Sequence, residues 1–255
     1  SNFLSYGGKL DVVRSVGGDL NTANAAVGAA NITLLLEGLE DYNNNQADDT
    51  TWYFAGKNPG HWAENIKVAI IDNAADQVIT PTLETGTLSG AGTKVGFGVT
   101  QALTGVTVGV GTTAAATGIL KGVITGKTAT TIDVKVVSTV IDGTETLVEY
   151  QQNSQFEFKT GTMLNIVNNS GTTVGKSSTI TSVDWYNSQN ILTSVADGGS
   201  DFTTLTWRAV LNKPKTNNYV SRRDGTNDAL HIVVIDAGGG VTGDVGSILE
   251  KFPNL

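Results

Sequence analysis

The sequence has 255 residues, a formal charge of −8, only 16% charged residues and 31 glycines. This length suffices for one large or two ordinary domains, and the sparse charge with many glycines and threonines favours a β-dominated fold over long helices. The negative charge disfavours nucleic-acid binding, the lack of cysteine excludes disulfides and thiolate metal sites, and no apolar run approaches the roughly 18 residues of a membrane-spanning helix.

The strongest pattern in the first 75 residues is a turn that leads into a strand. Three aromatic residues from Trp52 precede the turn Asn58-Pro-Gly, and an apolar, β-branched run over residues 66–71 follows. Proline presets one turn dihedral, glycine accepts a positive φ, and β-branched residues suit a pleated, buried surface. This pattern predicts a buried strand over residues 66–72.

From about residue 78 to residue 174 the composition changes, and the chain becomes rich in threonine, glycine and valine, with almost no aromatic residues before Tyr150. The clearest hairpin joins strands over 132–141 and 144–150 through Asp142-Gly143, a pair that supplies the positive φ angles of a type I′ turn. The spacing of apolar and turn residues predicts strands at residues 94–100, 105–110, 118–125, 130–141, 144–150, 155–159 and 163–167. Such strands are typical of a small antiparallel barrel or sandwich.

Aromatic residues return after Ser177, where short helices are predicted before a second buried strand. Residues 183–195 favour a short helix, and residues 205–212 favour a strand or a helix that ends before Pro214. The run over residues 228–236 has the apolar character of a central strand, and a glycine turn and a further apolar run to Phe252 follow it. We expect this strand and the strand at 66–72 to lie in one sheet.

Together these patterns predict an α+β fold in two domains. A mixed β-sheet domain with a few short helices comprises residues 1–75 and 176–255, and an inserted antiparallel β-barrel-like or sandwich-like domain comprises residues 76–175. The insert is rich in glycine and alanine, so we expect it to be the less stable of the two. Because the chain starts at Ser1 without methionine and stops directly after an apolar run, we expect it to be a piece of a longer protein.

Few residues suit nucleophilic catalysis. With cysteine absent, a catalytic triad would have to use one of the two histidines, and no Gly-x-Ser-x-Gly elbow accompanies either. His61 follows the turn and reads as a half-exposed loop residue. His231 lies within a predicted strand, where a packed or edge side chain is the simpler interpretation.

Four carboxylates surround glycine-rich turns near the end of the chain. Their spacing does not fit an EF-hand, and aspartate is common in turns because its side chain bonds nearby backbone amides. We interpret them as turn residues and predict a non-enzymatic protein with no catalytic residue, no metal and no cofactor. These carboxylates belong to Asp224, Asp228, Asp236 and Asp244.

The aromatic residues allow two interpretations. They would form a sugar-stacking platform or a subunit contact if exposed, but aromatic side chains bury a large area each, so we predict that most lie in the core of the sheet domain. The residues in question are Trp52, Tyr53, Trp62, Trp185 and Trp207.

Three blocks of the sequence carry a family resemblance. They are residues 2–14 (NFLSYGGKLDVVR), residues 52–60 (WYFAGKNPG) with 65–68 (NIKV), and residues 227–236 (NDALHIVVID) with 246–252 (GSILEKF). In this order the blocks resemble the tail sheath proteins of contractile-tailed bacteriophages, and they cover most of residues 1–72 and 205–255. None is a catalytic signature, since all are strand, turn and packing patterns.

The resemblance implies a structural virion protein, assembled in the host bacterial cytoplasm as part of the phage tail. Sheath subunits stack in rings around a tail tube, and their contraction drives the tube through the host envelope for genome ejection. In this family the C-terminal portion contacts the tube and links subunits, whereas inserted domains protrude outward. The implied partners are therefore other sheath subunits and the tail tube, without membrane insertion, and a fragment that lacks the linking portion is expected to be monomeric.

Two alternatives stay open. A host-surface glycan-binding (adhesin) module would require exposed aromatic and polar residues on the insert, which has few aromatics. A hydrolase would require carboxylates or a histidine that converge in a cleft.

Overall fold

The computed structural model describes residues 43–44, 65–88, 92–106, 116–193 and 204–255. This part of the chain is β-rich, with strands joined by turns and three single-turn α-helices. It divides into two compact units, which are described separately. The described residues of the smaller unit are 43–44, 65–70 and 232–251, and those of the larger unit lie within residues 71–231 and 252–255.

The strands and helices are numbered in chain order. The strands are β1 (Ile66–Ile71), β2 (Gln77–Leu83), β3 (Gly98–Val106), β4 (Ala116–Lys127), β5 (Ile132–Ile141), β6 (Thr144–Leu147), β7 (Leu164–Val167), β8 (Thr173–Asp184), β9 (Asn190–Leu192), β10 (Leu205–Thr206), β11 (His231–Asp236) and β12 (Ser247–Phe252). The helices are α1 (Trp185–Ser188), α2 (Trp207–Val210) and α3 (Asn218–Ser221). None of these helices has the length and apolar character needed to cross a membrane.

The smaller unit is built on a three-stranded sheet in the order β1-β11-β12. The expectation that the strands at 66–72 and 228–236 share one sheet is confirmed. Val233 and Ile235 on β11 are fully buried, as a central strand requires. β1 is buried less uniformly than predicted, because Ile70 is 50% exposed.

The larger unit is dominated by a closed antiparallel barrel of six strands. Their order is β2-β8-β7-β3-β4-β5, and β5 pairs again with β2 through Gln77–Ile79 to close the barrel. β6 extends the sheet from the far half of β5. Closure leaves the barrel strands without a free edge, which is the usual solution for a small antiparallel sheet.

The barrel interior is filled by aliphatic side chains. Along β5 the residues Ile132, Val134 and Val136 point inward at every second position, as the two-residue period of a strand requires. Leu120, Leu164 and other members of the same cluster are fully buried, and each such side chain stabilises the fold by about 1.5–3 kcal/mol. Glycine and alanine therefore do not define this core, although they are frequent in the sequence around it.

Several predicted elements of the barrel are wrong in detail. The predicted strands at 94–100 and 105–110 are one strand, β3, as far as the chain is described. Residues 155–159 form no strand, and β2 and β8 were not predicted. The predicted helix at 183–195 is only the single turn α1, followed by β9, and residues 205–212 contain both β10 and α2.

The domain boundaries at residues 75/76 and 175/176 stay a prediction. In the structure the barrel begins with β2 and ends with β8, and β8 continues through residue 175 while it pairs with both β2 and β7. The compact unit that contains the barrel also includes residues 204–231. The barrel strands thus reach further along the chain than the predicted insert.

The β5–β6 hairpin has the predicted type I′ geometry, since Asp142 has φ 50° and Gly143 has φ 80°. We expect Gly143→Ala to lower the free energy of unfolding by about 1–2 kcal/mol, because a Cβ is strained at this φ. Nothing lies within 4 Å of the added Cβ, so the loss would come from the backbone. Urea unfolding measures it. Gly98→Ala is the control, because Gly98 has an ordinary φ and van der Waals space, and an equal loss in both variants would contradict the turn argument.

Candidate functional site

The larger unit contains a buried acid that faces two lysines. Asp76 directly precedes β2, and its Oδ1 lies 2.8 Å from Lys213 Nζ and 3.3 Å from Lys135 Nζ. Its Oδ2 accepts a hydrogen bond from the Val136 backbone N–H at 2.9 Å. The Asp76 side chain is only 6% exposed. This carboxylate therefore compensates two largely buried ammonium groups.

The two lysines hold parts of the chain together. Lys135 Nζ donates to the Asn73 carbonyl at 3.0 Å and to Asn73 Oδ1 at 2.7 Å, and Lys213 Nζ donates to the Ala75 carbonyl at 2.9 Å. Burial lowers the pKa of Lys135, and the nearby Asp76 carboxylate opposes that shift. A nucleophilic lysine needs a free lone pair, whereas three oxygens surround the Lys135 ammonium group. This arrangement suits anchoring rather than catalysis.

The network continues through Tyr150 to the start of α1. Lys213 Nζ lies 5.8 Å from the centre of the Tyr150 ring, and the Tyr150 hydroxyl donates to Asp184 Oδ2 at 3.1 Å. Asp184 Oδ1 accepts from the Asn187 N–H at 2.8 Å and so caps α1. Burial and the Asp184 carboxylate raise the pKa of Tyr150 far above its ordinary value, so the phenol remains a hydrogen-bond donor.

Two buried glutamines fasten the segment between β6 and β7 to the barrel. Gln77 Oε1 accepts from the Phe158 N–H at 2.8 Å, and Gln77 Nε2 donates to the Phe158 carbonyl at 3.2 Å. Gln101 does the same for the N–H and carbonyl of Lys159, at 2.6 and 3.2 Å. Each glutamine side chain thus bonds an N–H and a carbonyl that a neighbouring strand would otherwise bond. This explains why residues 155–159 lie in an ordered path without pairing as a strand.

A shallow groove of about 690 Å³ lies beside this segment. Its lining includes Tyr150, Glu157, Asp184 and several amide and hydroxyl side chains. Glu157 accepts hydrogen bonds from the Asn153 N–H and from Lys159, so both of its oxygens are engaged within the described chain. Tyr150 and Asp184 bond each other. The carboxylates that line the groove therefore all accept hydrogen bonds from neighbouring groups of the chain.

The structure places His231 in the interior, with 2% of its surface exposed. Its Nδ1 accepts from the Asn254 N–H at 2.9 Å, and its Nε2 lies 2.8 Å from the Asn212 carbonyl. Accepting at Nδ1 and donating from Nε2 requires the neutral ring. Both nitrogens are occupied, so the ring ties β11 to two distant segments. His61 lies outside the described residues.

The predicted aspartates do not form a metal site among the described residues, where no group of three or more acidic or histidine side chains converges. Asp228 Oδ1 accepts from the Asn217 N–H at 3.1 Å, and Asp224 has φ 57°, as a turn residue does. Asp244 is exposed in the turn after β11. Asp224 and Asp244 thus lie in turns, whereas Asp228 bonds the backbone of a residue 11 positions away.

Asp236 anchors the glycine-rich turn of the smaller unit. It is fully buried, and its Oδ2 accepts from the N–H groups of Val241 and Thr242 at 2.9 and 2.7 Å and from the Thr242 hydroxyl at 2.9 Å. Burial alone would raise the pKa of Asp236, but these hydrogen bonds outweigh it and hold the pKa below its usual value. The carboxylate is therefore a turn anchor that works in its charged form.

Asn65 explains why this turn needs glycine at two positions. The Asn65 carbonyl accepts from the backbone N–H of Ala237 and Gly238. A Cβ on Gly238 would clash with Asn65 Oδ1, and one on Gly240 would clash with Asn65 Nδ2. The glycine run therefore serves close packing against the residue before β1.

We expect Asp236→Asn to lower the free energy of unfolding at pH 7 by about 1–3 kcal/mol, because a neutral amide oxygen accepts the three hydrogen bonds more weakly than a charged oxygen does. The amide NH2 group would also take the place of Oδ1, which is buried without a hydrogen-bond partner among the described residues. The folded-state pKa is depressed, so the contribution of Asp236 is present above its unfolded pKa and is lost as the pH falls through the folded pKa. The difference between wild type and variant should therefore shrink in acid. Unfolding followed at pH 7 and at pH 3 tests this. Asp244→Asn serves as the exposed control, and a pH-independent difference would contradict the account.

The described tryptophans are buried, since Trp185 is 8% and Trp207 is 3% exposed. They belong, however, to the larger unit that contains the barrel and not, as predicted, to the unit of the small sheet. Trp52, Tyr53 and Trp62 lie outside the described residues. The Asp76 cluster could not be found by sequence reasoning, because its members come from segments up to 137 residues apart. The alternating pattern of β5 even predicts Lys135 as an ordinary solvent-facing residue.

No protein-family model, curated protein or solved structure matches the chain.

Proposed function

We propose that this chain is a structural subunit of a bacteriophage contractile tail sheath, with one unit that contains a three-stranded sheet and one that contains a β-barrel. The observation that carries the proposal is where the described family-like blocks lie, since residues 2–14 and 52–60 fall outside the described residues. Residues 65–68 enter β1, residues 227–236 contain β11, and residues 246–252 contain β12, and these three strands form one sheet. Segments about 160 residues apart in sequence thus meet in one sheet, as is expected if they belong to one domain.

The position of the barrel along the chain also supports the proposal. The stretch without family-like blocks, about residues 75–175, supplies most of the closed barrel between β1 and β11 along the chain. A module inserted between two strands of one sheet, with its own core, is the expected form of a protruding sheath domain. In this proposal the barrel belongs to the protruding domain of the subunit.

The polar clusters of the larger unit also favour a structural role. Asp76, Lys135 and Lys213 satisfy one another and backbone carbonyls. The two buried glutamines bond the backbone of residues 158–159, and Gln77 also donates to Ser182 Oγ. Networks of this kind fix one arrangement of a fold. Catalysis would instead require an acid, a base or a nucleophile left available to a substrate.

The proposed mechanism is the release of free energy stored in subunit contacts. Sheath subunits surround the tail tube in the virion, and their rings rotate and compress so that the tube passes through the host envelope. A heterologous contact, in which different patches of two copies meet, does not close on itself and generates a helical array of subunits. In this proposal the partners are other sheath subunits and the tube, and the acidic surface keeps neighbouring particles apart.

Light scattering of this chain and of the product of its full reading frame tests the assignment. We expect the 255-residue chain to have the mass of one copy, 26.5 kDa, and the full product to form large sedimentable assemblies. A full product that stays monomeric at every concentration would contradict a sheath subunit. Assembly of this chain alone would instead place the linking contacts within these 255 residues.

One observation favours a second candidate, the glycan-binding module. The amide side chains of Gln152, Asn153 and Asn187 line the groove beside Tyr150 and form no side-chain hydrogen bond among the described residues. Amides beside an aromatic ring suit sugar hydroxyls and a sugar face. Titration with a panel of bacterial-surface oligosaccharides, followed by NMR of these amides, tests this candidate. Amide shifts lost in Tyr150→Ala would support it, and unchanged spectra would dismiss it.

A further inference from the structure

An exposed tyrosine–arginine stack stands on α3 of the larger unit. The Arg223 guanidinium carbon lies 3.7 Å from the centre of the Tyr219 ring, and Arg223 Nη1 donates to the Tyr219 carbonyl at 3.2 Å. Tyr219 is nevertheless 64% exposed. Arg222 lies beside it, and the pair is the only place in the sequence where two basic residues are adjacent. Together with Asn217 and Asn218 they line an open hollow of about 770 Å³.

The surrounding loop holds this stack in place. Asn217 Oδ1 caps α3 by accepting from the Tyr219 N–H at 2.8 Å, and Asp228 Oδ1 holds the Asn217 N–H. The N–H groups of Arg223 and Gly225 both donate to the Val220 carbonyl, at 2.9 and 3.1 Å. A fixed loop costs little conformational entropy when it binds a partner. The stack is therefore organised before any contact is made.

No carboxylate among the described residues forms an ion pair with Arg222 or Arg223, although the chain carries 24 acidic and 16 basic residues. Tyrosine and arginine are the residues that most often dominate binding energy at protein interfaces. The planar guanidinium group of arginine also suits carboxylates, which it binds through two parallel hydrogen bonds. The surface is thus chemically complementary to an acidic protein surface.

We propose that the patch Tyr219–Arg222–Arg223 docks onto an acidic surface of a second copy of this chain, as one side of a subunit contact. A copy carries a formal charge of −8 and so offers acidic surface in excess. Two such patches cannot face each other across a two-fold axis, because four guanidinium groups would repel. The contact is therefore heterologous and propagates from copy to copy. This inference rests on the proposed function and assigns it one contact surface. The contact acts together with the linking contacts of the full product, and by itself it does not hold two 255-residue chains together.

Charge reversal in the full reading-frame product tests the patch. Arg223→Glu is expected to raise the critical concentration for assembly, measured by sedimentation, by more than about tenfold. Arg223→Lys, which keeps the charge and loses the planar stack, should fall between the variant and wild type. Lys94→Glu is the matched control, since Lys94 is exposed and its reversal changes the net charge by the same amount. The control should assemble like wild type.

The outcomes separate the two proposals. Assembly of wild type and Lys94→Glu with loss in Arg223→Glu supports the patch. Equal assembly of all variants overturns the patch and leaves the sheath proposal standing. Failure of wild type to assemble overturns both. A closed two-fold dimer built on this surface would contradict the heterologous contact, and unchanged melting temperatures confirm that the exposed substitutions leave the fold intact.

Discussion

Replacing Asp76 by asparagine is expected to lower the free energy of unfolding by about 3–5 kcal/mol, because it leaves two buried ammonium groups uncompensated. The carboxylate lies 2.8 Å from Lys213 Nζ and 3.3 Å from Lys135 Nζ, and its side chain is 6% exposed. The change keeps the shape of the side chain, removes its charge and replaces one acceptor oxygen with an NH2 group. Urea unfolding followed by tryptophan fluorescence measures the loss, since the buried Trp185 and Trp207 lie in the same unit.

A double-mutant cycle with Lys213→Met separates charge from packing. Removing Asp76 and Lys213 together should cost clearly less than the sum of the two single changes, because the double variant leaves only one lysine without its partner. Glu84→Gln is the control at a solvent-exposed ion pair with Lys176, where we expect a change within about 0.5 kcal/mol. A loss at Asp76 no larger than that control would show that the cluster does not stabilise the unit.

Truncating Phe158 to alanine is expected to cost about 3–5 kcal/mol, since it removes a large side chain from a closed core. Phe158 is 1% exposed and belongs to the barrel cluster. A Cβ built on Gly122 would lie 3.0 Å from its ring, so the ring lies against the β4 backbone. The same change also loosens the segment that Gln77 and Gln101 hold, and the measured unfolding should remain a single transition.

Phe156→Ala is the matched control two residues away. Phe156 is only half-buried and lies outside the barrel cluster, so the same truncation should cost much less. Equal losses at the two positions would mean that Phe158 does not fill the barrel interior. A loss confined to the groove, without a change in global unfolding, would mean that the segment folds independently of the barrel.

The parts of the fold that could be predicted are those set by local chemistry. β-branched residues in alternation identify β5 and the two strands of the small sheet, and Asp142-Gly143 identifies the type I′ turn, because such patterns favour one backbone geometry. The pairing of β1 with β11 was also predictable, since both read as buried strands that need a neighbour. These features depend on a few adjacent residues.

The features that escaped prediction depend on distant neighbours. β2 contains Pro81, which argues against a strand, but β2 pairs with β5 only over Gln77–Ile79 and has a single partner at the proline. β8 is polar and rich in serine and threonine, so its pattern resembles a loop. Residues 155–159 alternate like a strand, yet glutamine side chains take their backbone hydrogen bonds.

The candidate site was the least predictable part for the same reason. Asp76 precedes β2 and Lys135 lies on a different strand, β5, so no recognisable spacing links them. Only the folded chain brings Asp76, Lys135 and Lys213 together. Tyr219 and Arg223 are close in sequence, but their stack depends on a capped single turn that propensity does not indicate. Sequence patterns identify individual strands and turns, whereas charge clusters and contact surfaces form only when the folded chain brings distant residues together.

Negative-stain imaging of the full reading-frame product tests the central proposal most directly. A sheath subunit should form hollow tubes or stacked rings with a regular axial repeat, wide enough to enclose a tail tube. Tubes in wild type would support the assignment. Folded product that forms only single globular particles, at high concentration and in the presence of a tail tube, would contradict it.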